Sequence, residues 1–160
     1  MWNIGFRFVL LFFLFSCGNT NTVMDVDKIS KVVYSFGDSS VPPPYHRSYD
    51  IVATNTTISI VVDSYGDIVS EAEFELSNQK FEELIGVIEL AKMKNIAEND
   101  SDGCTGGTSD YLTLHSNEGI IFEGSIYNCG GDKYGNMSGD IGAIKDKLKS
   151  FIPNFSQLLE

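Results

Sequence analysis

Basic side chains are scarce in this sequence of 160 residues, which has 11 Lys and Arg against 22 Asp and Glu and a formal net charge of −11. Binding to nucleic-acid phosphates or to anionic lipid surfaces depends on clustered positive charge. The composition therefore predicts no nucleic-acid partner. Long apolar runs are also missing, since the run at residues 8–15 is far below the roughly 20 residues that a membrane-spanning helix needs.

Catalytic and cofactor-binding motifs are absent as well. The segment at residues 37–41 lacks the second glycine of a Gly-x-Ser-x-Gly elbow, and no phosphate-binding or dinucleotide-binding loop is present. A zinc site would have to combine Cys104 and Cys129 with His46 and His115, but the sequence has no Cys-x-x-Cys and no closely spaced His pair. We therefore predict no catalytic residue, no cofactor and no metal.

The amino terminus has the pattern of a secretory signal. Arg7 precedes the apolar run at residues 8–15, and polar residues follow from Gly18 onwards. The segment Leu14-Phe15-Ser16-Cys17 resembles the lipobox of bacterial lipoproteins, with Leu at −3, a small residue at −1 and Cys at +1, although Phe at −2 departs from the usual small residue. The resemblance implies cleavage after residue 16 and lipid attachment at Cys17.

The same resemblance implies a location and a class of partner. Two or three acyl chains on Cys17 would hold the protein on a membrane, because each buried methylene contributes about 0.8 kcal/mol. Gly18 stands where some similar lipoproteins carry an Asp that retains them in the inner membrane. We therefore expect a lipid-anchored protein of the bacterial cell envelope, in the outer membrane facing the periplasm, with an envelope protein, glycan or peptide as its partner.

The two remaining cysteines are predicted to form a disulfide. Residues 111–114 and 120–127 have the pattern of two strands joined by a turn near Asn117 and Glu118. Folding the chain about that turn places Cys104 nearly opposite Cys129, at the open end of the hairpin. In an oxidising compartment such a pair forms a bridge.

The remaining pattern predicts an α+β fold. Strand-like segments at residues 29–36, 49–54, 57–63 and 68–76 are followed by a helix that begins at Ser77 or Asn78. A loop at residues 95–107 leads to the hairpin, and a second helix runs from about Gly139 to a stop at Pro153. We predict an antiparallel sheet with two helices packed on one face, in the order β-β-β-α-β-β-α. The domains are a signal peptide (1–16), a flexible tether (17–27) and one α+β domain (28–160).

Three candidate sites remain, each with a structural alternative. Tyr45, His46 and Arg47 follow three prolines, so a rigid loop would present an aromatic ring and the one Arg left after cleavage to a ligand. Alternatively, Arg47 pairs with a nearby acid and Tyr45 packs on the sheet. Another candidate site is acidic. Glu98, Asp100 and Asp102 partly match a calcium-binding loop, but the match ends at Ser109, where such a loop needs a Glu. The structural alternative is a solvated acidic loop.

His115 is the remaining candidate site. It alternates out of phase with Leu112 and Leu114, which puts it on the less apolar face of its strand. Our functional hypothesis is a non-catalytic binding module that contacts its ligand through Tyr45, His46 and Arg47 or through the sheet face. The alternative is a small periplasmic hydrolase using His46 or His115 with a nearby carboxylate.

The lipid anchor is directly testable. The intact mass of protein taken from the membranes of a bacterial host should match residues 17–160 plus acyl groups, with no thiol available for alkylation before reduction. Cys17→Ser should remove the acyl mass. Two alkylatable thiols and no lipid would contradict both the anchor and the bridge.

Overall fold

Eight β-strands and three α-helices make up residues 24–160, the part of the chain that this computed structural model describes. The strands are β1 (Lys31–Gly37), β2 (Ser48–Thr54), β3 (Thr57–Ser64), β4 (Asp67–Glu75), β5 (Lys94–Asn99), β6 (Thr108–Ser116), β7 (Gly119–Cys129) and β8 (Asp132–Ser138). The helices are α1 (Asn78–Ala91), α2 (Ile141–Ser150) and α3 (Phe155–Leu158), with short 3-10 turns at Val26–Lys28 and Pro43–Tyr45. The predicted signal peptide, Cys17 and the predicted tether as far as residue 23 lie outside the described residues.

All eight strands belong to one sheet in the order β4-β3-β2-β1-β6-β7-β8-β5, and every pair is antiparallel. The first strand of the chain is central, because β1 pairs with β2 on one side and with β6 on the other. The predicted α+β class and antiparallel sheet are confirmed.

The sheet has more strands than the sequence pattern predicts. All four strand-like segments before α1 form strands, one more than the predicted order counts, and β8 and the short α3 follow later. The predicted loop at residues 95–107 is wrong at its start, because β5 occupies Lys94–Asn99 and pairs irregularly with β8. Every residue of β5 is exposed, so its side chains show no alternation that sequence analysis could detect. Backbone pairing with a neighbouring strand, rather than apolar periodicity, defines this element.

The core lies between one face of the sheet and the helices, and we call this side of the sheet the helix face. Alternate strand residues bury their side chains there: Val32, Tyr34, Tyr49, Ile51, Ala53, Ile58, Ile60, Val62, Leu112, Leu114, Phe122 and Ile126. The predicted stripe of α1 is confirmed, since Phe81, Leu84, Ile85, Ile88 and Ala91 are its buried residues. Ser77 caps this helix by accepting a hydrogen bond from the backbone N–H of Lys80.

The opposite side, which we call the open face, is not part of the core. Val33, Val52 and Val61 point to it and are only half-buried. None of these valines packs against the core cluster. The sheet therefore has one covered and one solvated face, which is common for antiparallel sheets.

The predicted hairpin and its disulfide are confirmed. β6 and β7 pair from Ser116 opposite Gly119 to Thr108 opposite Asn128. Beyond that pair, Cys104 and Cys129 form a disulfide with Cα atoms 6.2 Å apart. Gly107 makes the approach possible, because a Cβ at this position would lie 2.2 Å from the carbonyl oxygen of Asn128.

The two ends of the sheet differ in what they carry. At one end, the loop end, lie the β1–β2 loop, the β3–β4 turn and the disulfide. The described chain enters at the other end, the entry end, where Met24 and Val26 pack against the core. Both residues belong to the segment 17–27 that the sequence predicts as a tether. None of the helices within residues 24–160 has the length and apolar character required to traverse a bilayer.

Removing the disulfide should lower the stability of the domain. The bridge closes a loop with a sequence separation of 25 residues, and in the chain-entropy model such a loop contributes about 3 kcal/mol. Urea unfolding of the Cys104→Ala/Cys129→Ala variant should show this loss. Reductant should destabilise the unsubstituted protein by a similar amount and leave the variant unchanged. An unaltered midpoint after complete reduction would refute the expectation.

Candidate functional site

The loop between β1 and β2 contains the first predicted site, and it is held in place by hydrogen bonds. The carboxylate of Asp38 accepts from the backbone N–H groups of Ser39 (2.8 Å) and Arg47 (2.9 Å). Ser64 donates to the carbonyl of Pro43 at 2.8 Å, and Tyr65 donates to the carbonyl of Val41 at 2.6 Å. The predicted rigidity of this loop therefore comes from the neighbouring β3–β4 turn as well as from its prolines.

His46 lies inside this loop and is only 5% exposed. Its ring stacks on Tyr65 with 3.9 Å between ring centroids. Nε2 lies 3.4 Å from the hydroxyl oxygen of Ser48, and Nδ1 is buried with no hydrogen-bond partner among the described residues. With no carboxylate on either ring nitrogen, the geometry lacks the acid that would orient His46 as a general base.

Tyr65 occupies a backbone conformation that favours glycine, with φ of 53°. Such a conformation costs a bulky residue about 1–2 kcal/mol. The stack on His46 and the hydrogen bond to Val41 offset that cost. Tyr65 thus fastens the loop to the β3–β4 turn.

Arg47 is directed inward, toward the last helix. Its guanidinium donates to the carbonyl oxygens of His46 (2.7 Å), Leu159 (2.8 Å) and Glu160 (2.9 Å). The backbone oxygens of Leu159 and Glu160 follow α3, where a helix C-terminus leaves acceptors without internal partners, and a cation satisfies them well. His46 and Arg47, two of the three residues predicted to contact a ligand, therefore both make contacts within the domain. Of the three predicted residues, only Tyr45 is open to solvent, at 75% exposure.

His115 lies on the open face, opposite Lys31 of β1. Burial, and then the charge of Lys31, lower the pKa of this imidazole, while Glu123 acts in the opposite direction. The strand phase predicted for His115 is correct, but no side chain among residues 24–160 forms a hydrogen bond with its imidazole.

The acidic loop does not gather into a metal site. Glu98, Asp100 and Asp102 are all exposed. Within the described residues, no group of three or more His, Cys, Asp or Glu side chains is arranged to hold a metal ion. The Cys and His combination is excluded as a zinc site because Cys104 and Cys129 are joined to each other.

A buried polar cluster that the sequence analysis missed lies between the helix face and α2. Asp110 is 4% exposed, and its carboxylate accepts hydrogen bonds from Tyr34 (2.5 Å), Asn128 (3.1 Å) and Lys145 (3.1 Å). One signal was available in the sequence. Asp110 is in phase with Leu112 and Leu114, so the same alternation that placed His115 outside placed this acid inside.

The cluster extends along α2. Lys149 lies over the rings of Tyr49 (5.4 Å) and Phe155 (4.9 Å), and burial lowers its pKa. Burial, together with the hydrogen bond to Asp110, raises the pKa of Tyr34 far above its usual value, and burial also raises the pKa of Tyr49. The carboxylate of Asp110 is paired with side chains of the domain, so we interpret the cluster as one that positions α2.

The open face of the sheet is a second candidate surface for recognition. Its central row crosses six strands: Glu71, Val61, Asp50, Ser35, Tyr111 and Ser125. Tyr111 lies on β6 in the middle of the sheet and is 49% exposed. The row combines an exposed aromatic ring with the hydroxyl groups of Ser35 and Ser125 on either side of it and with acids toward β4. Such a mixture suits contact with a polymer laid across the sheet.

Comparison with known proteins adds no family assignment. No protein-family model, no curated protein and no solved structure shows a significant match to the chain. The class that the structure itself defines is an acidic α+β domain with a one-sided antiparallel sheet.

Alkaline pH should destabilise the domain through Tyr34 and Tyr49. Because their pKa values are raised in the folded state, the unfolded chain releases these protons first, near pH 10, and stability falls as the pH rises above that value. Tyr34→Phe should make the fall shallower by about 1.4 kcal/mol per pH unit. In a phenolate absorbance titration, Tyr34 and Tyr49 should ionise only on unfolding. Tyr45→Phe is the exposed control, and an equal effect of both variants would contradict the assignment.

Proposed function

We propose that this protein is a lipid-anchored binding module of the bacterial cell envelope, and that the open face is its recognition surface. The observation that carries the proposal is the solvated sheet face with Tyr111 at its centre. Val33, Val52 and Val61 are half-buried on the same face and do not pack against the core cluster. The partner is an envelope protein, glycan or peptide.

The position of the chain entry supports the membrane part of the proposal. Cys17 precedes Met24 by seven positions, which an extended chain spans in about 25 Å. A lipid on Cys17 would therefore keep the entry end close to the bilayer. The open face would then stand beside the membrane, and the loop end would lie farther out in the periplasm.

A hydrolase is the less well supported function. His46 is enclosed by Tyr65 and lacks a carboxylate partner, and His115 has Lys31 as its cross-strand neighbour. General acid–base catalysis requires a proton-transfer group within hydrogen-bond reach of a substrate. Among residues 24–160, neither histidine combines access with an orienting acid, so no observation carries the hydrolase further.

The binding function can be tested by site-specific photo-crosslinking in living cells. A photoreactive phenylalanine at Tyr111 should form a discrete adduct with an envelope component, whereas the same residue at Leu90 of α1 should not. Leu90 is the matched control because it is 78% exposed on the helix side of the domain. A probe placed at Val52 of the open face should form the same adduct. That adduct should disappear when Tyr111 is changed to Ala. Adducts at both Tyr111 and Leu90, or at neither of them, would refute the proposal.

A further inference from the structure

Strand β4 forms one edge of the sheet and pairs only with β3. It is nine residues long and regular after a bulge near its start, whereas β5 at the other edge pairs irregularly with β8. Within the described residues, no backbone hydrogen bond joins β4 to any element other than β3. An edge of this kind presents a row of free N–H and C=O groups that another extended chain can pair with.

Three glutamates mark this edge on the open face. Glu71, Glu73 and Glu75 alternate along β4, opposite Val61, Ser59 and Thr57 of β3. Alternate residues of a strand project to the same side about 7 Å apart. All three carboxylates are exposed, and none forms a salt bridge among residues 24–160.

Lys80 of α1 lines the same surface depression as Glu75, but no salt bridge within residues 24–160 neutralises any of the three glutamates. Asp50 adds a further acid on the open face. The nearest strand cation on that face is Lys31 of β1, three strands away, or about 14 Å, which exceeds the screening length of about 8 Å at physiological salt. On the other side of the domain, Lys145 and Lys147 already pair with Asp110 and Glu83.

A second copy of this chain fits the edge poorly. Pairing of β4 with β4 in antiparallel fashion would bring the glutamate rows of two chains together. Like charges directly opposite each other in a sheet destabilise the pairing. Charge complementarity therefore favours a cationic strand.

We propose that β4 is a docking edge for an extended segment of a basic partner polypeptide, which adds to the sheet as a ninth strand. Lys or Arg at every second position of that segment would face Glu71, Glu73 and Glu75, and the intervening side chains would lie toward α3, where Ser70 contacts the carbonyl of Leu158 at 2.6 Å. This docking edge deepens the proposed binding function, because it names the chemistry of the partner. It rests on that function in one respect, which is that the open face is accessible.

The test uses two synthetic peptides of identical composition. One alternates Lys and Val over seven residues, and the other carries four Lys followed by three Val. The alternating peptide should bind the purified protein about tenfold more tightly, because only an alternating pattern places a cation opposite each glutamate. Fluorescence anisotropy measures the affinity. Every second backbone amide of the alternating peptide can be N-methylated in two ways, starting at the first or at the second residue. One of these two peptides should lose binding although its charge is unchanged, because its methyl groups replace the N–H groups that would pair with β4.

Protein variants separate strand addition from general attraction. Glu71→Gln/Glu73→Gln/Glu75→Gln should weaken the alternating peptide about tenfold. The matched control changes Glu82, Glu89 and Glu98 to Gln, which removes the same charge from exposed positions outside β4 and should leave affinity nearly unchanged. Hydrogen exchange should show peptide-induced protection of backbone amides within residues 67–75.

Several outcomes would overturn the inference. Equal weakening by both triple variants, equal affinity of the two peptides, or full binding by both N-methylated registers would indicate long-range attraction alone. Concentration-dependent dimers that use β4 in the unsubstituted protein would assign the edge to a second copy. The crosslink at Tyr111 is independent of these results, so failure at the edge and failure of the proposed binding function are distinguishable.

Discussion

The buried carboxylate of Asp110 is the interaction on which much of the remaining structure depends. A charge in such a place must be compensated, because removing one partner of a buried ion pair costs about 3–5 kcal/mol. Lys145 is one of its partners, so the compensation determines where α2 lies against the sheet. Lys149, one turn farther along α2, contacts Phe155 of α3. The carbonyl groups after α3 then accept the hydrogen bonds of Arg47, which connects the core network to the β1–β2 loop.

This chain of contacts explains why the residues that stand out in the sequence are not those left for recognition. Arg47 and His46 are chemically distinctive, and the domain uses both internally. The lysines of α2 lie on the helix side, whereas the glutamates of β4 lie on the open face without counterions among the described residues. An acidic sheet face with an unpaired edge is thus the surface that the proposed functions use.

The sequence predicts those elements whose side chains alternate between water and core. The stripe of α1 from Phe81 to Ala91, the β6–β7 hairpin and the bridge between Cys104 and Cys129 all follow from local spacing. β5 could not be predicted in this way, because all its residues are exposed and only pairing with β8 makes it a strand. Asp110 was detectable in principle, since its phase matches that of Leu112.

The sequence by itself determined the fold class, the disulfide and the two helices that cover the sheet, because hydrophobic periodicity and the reach of a hairpin are local properties. Tertiary structure alone decided the use of each polar side chain. Arg47 meets the carbonyl of Leu159 across 112 positions of sequence, and Tyr34 meets Asp110 across 76. Partners so distant are brought together only by strand order and helix packing, and no local pattern records them.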